Sequence, residues 1–322
     1  MILHYRFYFF LTAAFTSGRH DAVPSTSLAI YSETHRTNLQ AQSFEHMIVF
    51  GSNRKYGNYE IYAMDFNGRN TVRITYNKNI DSYPAVSNDG SKILITRYQS
   101  PTKTDIVLYQ NRKEKTLIKG SELNRTSTHS WSPDGERFVY ISNKGDGISR
   151  LYIFDLNDNT QIQLPPHHVD SFAWSPDGEQ ATYTSGGNLF VINLETNEMQ
   201  KITETGVYSA TTWVGSKDIV ATKNVEGGRC LTHLDLLTKN ERPLTNPDES
   251  DDLFNTTGCF LDFDAVLMDD LPVNGKDRLV YTGWETQRTG GTFQLFTINW
   301  DGTGSKMITD QSDNLTPSVA RR

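Results

Sequence analysis

Residue types that could bind a ligand stand at two recurrent places in a unit of about 40 to 45 residues that repeats along the chain. One place is the start of the first strand of the unit, and the other is the end of its second strand. In an antiparallel unit both places lie at the same end, so these side chains are expected on one face. The candidates at strand starts are Tyr83, His129, Asp170 and Tyr208, and those at strand ends are Arg54, Arg97, Lys144 and Trp284.

The basic members of this set stand in a chain whose net charge is −7. A funnel of basic and aromatic side chains would suit a carboxylate, an acidic sugar or an acidic peptide terminus. The alternative, which we favour, is that Arg54 and Arg97 pair with neighbouring aspartates and join adjacent units. His129 is better explained as a structural or pocket-lining residue than as a metal ligand, because the other histidines are not expected to converge on it.

The composition and the missing motifs argue against several classes of function. Acidic residues outnumber basic ones by 38 to 31, so nonspecific nucleic-acid binding is not expected. The sequence has no phosphate-binding loop, no dinucleotide fingerprint, no H-E-x-x-H motif and no G-x-S-x-G turn. The two cysteines, Cys230 and Cys259, do not have the spacing of a zinc-binding motif. They could form a single disulfide or stay as two buried thiols, and the sequence does not decide between these alternatives.

Two acidic groups of residues could supply oxygen ligands to a cation. Asp248 to Asp252 reads DESDD in a predicted connecting loop, and Asp262 and Asp264 would share one face of a strand. Neither group has the spacing of a calcium-binding loop, so we interpret both as solvated loops. No cofactor is therefore predicted, and a divalent cation, calcium or manganese, is kept as an alternative.

Three segments repeat a strand that runs into a tight turn. They end in Ser87–Gly90 (SNDG), Ser132–Gly135 (SPDG) and Ser175–Gly178 (SPDG), and their final glycines are 45 and 43 residues apart. In such a turn, proline fixes φ at the first central position, the aspartate side chain forms a hydrogen bond with the nearby backbone, and glycine accepts a positive φ. Weaker copies of the repeat begin near Trp213 and near Leu279. The period is that of four short strands with their turns, which is one blade of a β-propeller.

The two ends of the chain indicate how the blades close. Met47 to Ser52 reads as the second strand of a blade, Ile61 to Met64 as its third and Val72 to Thr75 as its fourth. The missing first strand stands at the other end, where Asp313–Val319 resembles Asp81–Val86. We therefore predict an all-β fold, a six-bladed β-propeller closed by the C-terminal strand pairing into the first blade.

The N-terminal region does not follow the repeat. Residues 1–18 combine a positive charge, the apolar run Phe7–Phe15 and small residues, which is the pattern of a signal peptide and too short to span a bilayer. Residues 19–46 are interpreted as a linker or N-terminal arm, and residues 47–322 as a single propeller domain. The expected location is secreted or periplasmic, and a disordered N terminus is the alternative.

The Ser-Pro-Asp-Gly segments, together with Ser52–Arg54 and Glu60–Asp65, resemble the repeat of TolB-type six-bladed propellers over about Met47 to Arg322. The resemblance implies the six-bladed fold and a tendency to bind proteins or other ligands. TolB also has an α/β domain before its propeller, which is not expected here. Oligogalacturonate lyases, which are built on related propellers, use converging histidines to hold a metal.

Two functions follow from these interpretations. The favoured one is a non-catalytic TolB-like propeller, a monomer, that binds a protein, or an acidic small molecule or oligosaccharide, through the face at the channel mouth. The second is a propeller lyase that acts on acidic oligosaccharides with a divalent metal. The sequence leans against catalysis.

Overall fold

The structure is a computed structural model that describes residues 43–54, 57–120, 129–144, 146–226, 228–245, 266–273, 276–285, 292–309 and 312–320, all within the compact unit Gln42–Arg322. The side chains of residues 228, 266–273, 276–278 and 284–285 are not described. The predicted signal peptide, nearly all of the predicted arm, the two acidic groups and Cys259 lie outside the described residues.

The described chain forms six four-stranded antiparallel sheets, here called blades 1 to 6. Blade 1 contains β1 (Met47–Ser52), β2 (Glu60–Asp65), β3 (Val72–Arg73) and β24 (Asn314–Ser318). Blade 2 contains β4 (Ile80–Val86), β5 (Lys92–Ser100), β6 (Lys103–Gln110) and β7 (Lys113–Ile118). Blade 3 contains β8 (His129–Trp131), β9 (Arg137–Ser142), β10 (Arg150–Asp155) and β11 (Gln161–His167). Blade 4 contains β12 (Val169–Trp174), β13 (Gln180–Ser185), β14 (Asn188–Asn193) and β15 (Met199–Lys201). Blade 5 contains β16 (Tyr208–Trp213), β17 (Asp218–Val225), β18 (Gly228–Asp235) and β19 (Glu241–Pro243). Blade 6 contains β20 (Val266–Val273), β21 (Lys276–Glu285), β22 (Thr292–Asn299) and β23 (Lys306–Met307).

The C-terminal strand closes the ring. β24 pairs antiparallel with β1, matching Asn314 with Ser52 and Ser318 with Val49, with a register shift between these pairs. The sheet order β24-β1-β2-β3 shows that blade 1 is built from both ends of the chain. The predicted six-bladed ring and its mode of closure are therefore confirmed.

The hydrophobic core is divided among the interfaces between neighbouring blades. Each of six clusters joins residues from two adjacent blades. Leu94 of blade 2 packs in one cluster with Phe138 of blade 3, and Phe50 of blade 1 packs in another with Val280 of blade 6. Because both faces of every blade are covered, its central strands bury nearly every side chain rather than every second one.

The Ser-Pro-Asp-Gly turns connect first and second strands, as their residues predict. Gly178 has a φ of 78°, and Gly90 and Gly135 both have a φ of 67°. Asp177 accepts hydrogen bonds from Ser175 Oγ at 2.5 Å and from the backbone N–H two residues on at 3.0 Å. These bonds lower the pKa of Asp177, the Ser175 bond most. Each turn is thus held by its own residues.

Tryptophans connect the first strands of neighbouring blades. Trp131 Nε1 donates to the carbonyl of Ala85 at 2.9 Å, and Trp213 Nε1 donates to the carbonyl of Ala173 at 3.0 Å. Trp174 occupies the equivalent place in blade 4, but its buried Nε1 has no hydrogen-bond partner among the described residues. These bonds hold the strands that surround the axis of the ring.

Candidate functional site

The first strands of the blades surround a central channel. β4, β8, β12, β16 and β24 line a cavity of about 80 Å³ within it. Five lining residues hold equivalent positions in the first strands. Each stands two residues before Trp131, Trp174 or Trp213, or before Val86 or Val319, which take the place of the tryptophan. The five are Pro84, His129, Phe172, Thr211 and Pro317. A ligand-sized pocket measures roughly 300 Å³ or more. The cavity can therefore hold a few water molecules or the tip of a larger partner.

His129 is a polar residue in the channel wall with an incomplete set of hydrogen bonds. Its side chain is buried, and its Nε2 lies 3.1 Å from Thr96 Oγ1. Its Nδ1 has no hydrogen-bond partner within the described ranges. Burial lowers the pKa of His129 to about 4, so the imidazole is neutral at pH 7. The channel wall thus holds an uncharged ring with one nitrogen still able to form a hydrogen bond.

Two further buried hydroxyls on first strands share this property. Ser209 Oγ on β16 and Thr316 Oγ1 on β24 have no hydrogen-bond partner in the part of the chain that is described. Buried polar groups in folded proteins are usually bonded to protein or to ordered water.

Arg97, expected at the channel mouth, is held by two carboxylates of its own blade. Its Nε and Nη2 lie 2.8 and 2.9 Å from the oxygens of buried Asp81, and its Nη1 lies 2.7 Å from Glu114. The hydrogen bond with Asp81 is the main reason why the pKa of the guanidinium is raised. The partnership with an aspartate is as expected, but it lies within blade 2 and does not join two blades.

Arg54 joins the two chain ends of blade 1. Its Nη2 donates to Asn314 Oδ1 at 2.7 Å and its Nε donates to Ser52 Oγ at 3.2 Å. The guanidinium also lies 5.1 Å from the ring centre of Phe50 and 5.0 Å from that of Tyr62. Two of its side-chain hydrogen-bond partners are therefore an asparagine and a serine, and the pairing of Arg54 with a neighbouring aspartate stays a prediction.

Lys144 repeats this position in blade 3. Its backbone N–H donates to Ser142 Oγ at 3.1 Å, as that of Arg54 donates to Ser52 Oγ at 3.3 Å. Its Nζ lies 4.2 Å from the ring centre of Tyr152. The residue is exposed, so its ammonium stays accessible beside the aromatic ring.

The remaining predicted residues occupy different environments. Tyr83 is half-buried with a φ of 50°, at the register shift of β4, and Asp170 is exposed at the register shift of β12. Tyr208 is buried, and its hydroxyl donates to Glu241 of the outer strand of blade 5. Trp284 lies in β21, and its side chain is outside the described residues.

Of the seven predicted residues whose side chains are described, His129 alone lines the channel cavity. Pro84, Phe172, Thr211 and Pro317, which line the cavity with it, were missed. Their signal was available, because each stands two residues before a tryptophan or valine near the end of a first strand. These residues are mostly apolar, whereas residue types that carry chemistry are polar or charged.

Two absences concern the described residues alone. Among them, no three histidine, cysteine, aspartate or glutamate side chains are grouped as a metal site would require. Over the same residues, no helix has the length and apolar character needed to cross a bilayer.

A ring of six blades around a narrow channel, closed by its C-terminal strand, defines the chain as a β-propeller protein. The family model of the TolB beta propeller domain matches residues 41–253. The chain belongs to the TolB β-propeller family.

Individual relatives extend this result. A TolB homolog from Chlorobaculum tepidum is 51% identical over 53 residues, which are 16% of this chain and 12% of the homolog. The crystal structure of TolB from Acinetobacter baumannii has a TM-score of 0.67 at 18% identity, covering 94% of this chain and 74% of that one. A structure assigned to TolB from Agrobacterium tumefaciens has a TM-score of 0.59 at 13% identity, covering 85% and 92%. At these identities the two structures show the fold alone.

Proposed function

We propose that this protein is a non-catalytic interaction module that holds a segment of a partner protein at the mouth of its channel. The observation that carries the proposal is the unpartnered Nδ1 of buried His129 beside the cavity. A buried nitrogen without a hydrogen bond costs roughly 1–3 kcal/mol. A backbone or side-chain group from a partner that enters the channel would complete its hydrogen bonding.

The size of the cavity favours a protein segment over an acidic small molecule. A volume of about 80 Å³ accepts only the tip of a ligand, so most of the contact would lie on the mouth around it. One of the predicted cations, Arg97, is already paired with Asp81 and Glu114. To bind at Arg97, an acidic sugar or metabolite would therefore have to displace existing ion pairs.

Exposed groups of both charges are available at the mouth for such a partner. Lys144 of blade 3 and Asp170 of blade 4 are exposed on adjacent blades, and Tyr83 of blade 2 is half-buried. Polar and charged rims are typical of protein interfaces. Trp284 is kept as a candidate of the same rim.

Site-directed photo-cross-linking in the producing cells tests this function. A photoreactive residue in place of Ser130, which lines the cavity, should give one dominant adduct with another protein. The same residue in place of Leu237 is the matched control, because Leu237 is exposed in the turn between β18 and β19 of blade 5 and does not line the cavity. The same adducts from both positions, or none from position 130 in a variant with native stability, would contradict the proposal.

We also propose that the module acts as a monomer and outside the cytoplasm, in the periplasm or secreted. The support is the charge and apolar pattern of residues 1–18. Cell fractionation with a C-terminal tag measures the location, and sedimentation measures the mass. A cytoplasmic pool that retains residues 1–18 would contradict export.

A further inference from the structure

Among the outer strands of the described residues, the one of blade 2 is long, free of proline and basic. Of the six outer strands, β3, β15, β19 and β23 have two or three residues, whereas β7 has six and β11 has seven. β11 contains Pro165 and Pro166, which have no backbone N–H to offer. β7 contains no proline, and Lys113 through Thr116 are all exposed.

The charge around β7 is opposite to that of the protein as a whole. Residues 103–119 carry five basic side chains, whereas the whole chain has a net charge of −7. The two acidic residues of this segment are already engaged: Glu114 pairs with Arg97, and Asp105 accepts hydrogen bonds from Gln99 and the backbone of residue 120. Lys113 and Lys115 form no ion pair with the described residues.

The spacing of the two lysines suits a strand partner. Lys113 lies opposite Gln110 and Lys115 lies opposite Leu108 in β6, so the two ammonium groups project from the same face of the sheet, two residues apart. On the open side of β7, alternate backbone N–H and C=O groups have no strand to bond in the described part of the chain. An added strand would place its own alternate side chains beside these lysines.

We propose that β7 docks an extended acidic segment of a partner protein, which adds to blade 2 as a fifth strand. Backbone hydrogen bonds along residues 113–117 would hold the segment, and alternate Asp or Glu side chains would pair with Lys113 and Lys115. Lysines on an edge strand repel a second copy of the same edge, which protects against self-association. The same positive charge selects an acidic partner. This surface lies on the outer circumference of the ring, apart from the channel.

The test uses the full chain and a labelled probe, acetyl-Thr-Glu-Val-Glu-Val-Thr-amide, measured by fluorescence anisotropy at low ionic strength. The probe should bind, and the double variant Lys113→Glu/Lys115→Glu should bind it at least tenfold more weakly. Lys201→Glu/Lys239→Glu is the matched control, because it makes the same charge change at exposed lysines outside blade 2 and should leave binding unchanged.

Two further probes separate strand addition from charge attraction. A peptide with lysine in place of glutamate should not bind, and a peptide with the same charges but N-methyl groups on alternate amides should bind at least tenfold more weakly. Amide hydrogen exchange should slow in residues 113–117 and stay unchanged in β15. Absence of probe binding, equal binding of the N-methyl peptide, an equal effect of the control variant, or unchanged exchange in β7 would each overturn the proposal.

Discussion

Asn53 and Asp313, which lie 260 positions apart in the sequence, are joined by reciprocal hydrogen bonds. The amide of Asn53 donates to Asp313 Oδ2 at 3.3 Å, and the backbone N–H of Asp313 donates to Asn53 Oδ1 at 3.0 Å. The same carboxylate also accepts from Tyr59 Oη at 3.2 Å and from the backbone N–H of Phe293 at 3.0 Å. Asp313 therefore connects both chain ends of blade 1 with blade 6.

Replacing Asp313 should loosen the closure of the ring. We expect Asp313→Ala to lower the free energy of unfolding by about 2–3 kcal/mol, because several donors lose their acceptor at once. Urea unfolding followed by tryptophan fluorescence measures the change. Asp158→Ala is the control: its carboxylate bonds only Thr160 of its own exposed turn, and the expected loss is below about 1 kcal/mol. Equal losses of unfolding free energy in the two variants would contradict a special role of Asp313 in closing the ring.

The contribution of the tryptophan hydrogen bonds between first strands to stability can be measured with a matched pair of variants. Trp131→Phe should cost about 1 kcal/mol beyond the change in packing, because the bond to the Ala85 carbonyl is lost. Trp174→Phe should cost less, since the Nε1 it removes is buried without a partner among the described residues. Chemical unfolding of both variants gives the difference. A larger loss in Trp174→Phe would show that these bonds contribute little to stability.

His129 should make the stability of the propeller depend on pH. Its pKa in the folded protein is about 4, below the ordinary value of 6.5, so between these values the unfolded chain binds a proton that the folded chain does not. The free energy of unfolding should thus be highest above pH 6.5 and fall by up to about 3 kcal/mol as the pH decreases towards 4.

His129→Gln is the variant that isolates this effect, because glutamine can retain a bond to Thr96 but does not titrate in this range. Unfolding curves between pH 4 and 7.5 should show a smaller slope in the variant than in the native protein. The carboxylates titrate in both proteins and cancel in the difference. Parallel curves would mean that His129 is accessible to protons in the folded state.

Two adjacent glycines should respond differently to the same substitution. Gly186 and Gly187 both have positive φ, 55° and 74°. A Cβ on Gly187 would lie 2.3 Å from the carbonyl oxygen of Gly206, whereas a Cβ on Gly186 would meet nothing within 4 Å. Gly186→Ala should therefore cost about 1 kcal/mol from backbone strain alone. Gly187→Ala should cost clearly more, because the loop at Gly206 must move. Thermal unfolding compares them, and equal costs would contradict the close approach of the two loops.

Local residue chemistry was sufficient to predict the blade and its closure. The turn at Ser175–Gly178 is held by bonds within four or five residues, so its residues specify it wherever it stands. The likeness of Asp313–Val319 to Asp81–Val86 likewise predicted the pairing of β24 with β1, because equivalent strands in a repeat need the same residues.

The partners of the side chains were decided by the tertiary structure. The sequence alone offered Arg97 several aspartates, and only the register of β4 against β5, which sets Asp81 opposite Arg97, selects the carboxylate it binds. The residues of the channel wall were also not predicted, although their positions repeat along the sequence. His129, Phe172 and Pro317 differ in chemistry, and they share a site because equivalent positions in the first strands bring them together around the axis. Turn and strand patterns act over a few neighbouring residues, whereas a binding surface depends on where distant strands meet.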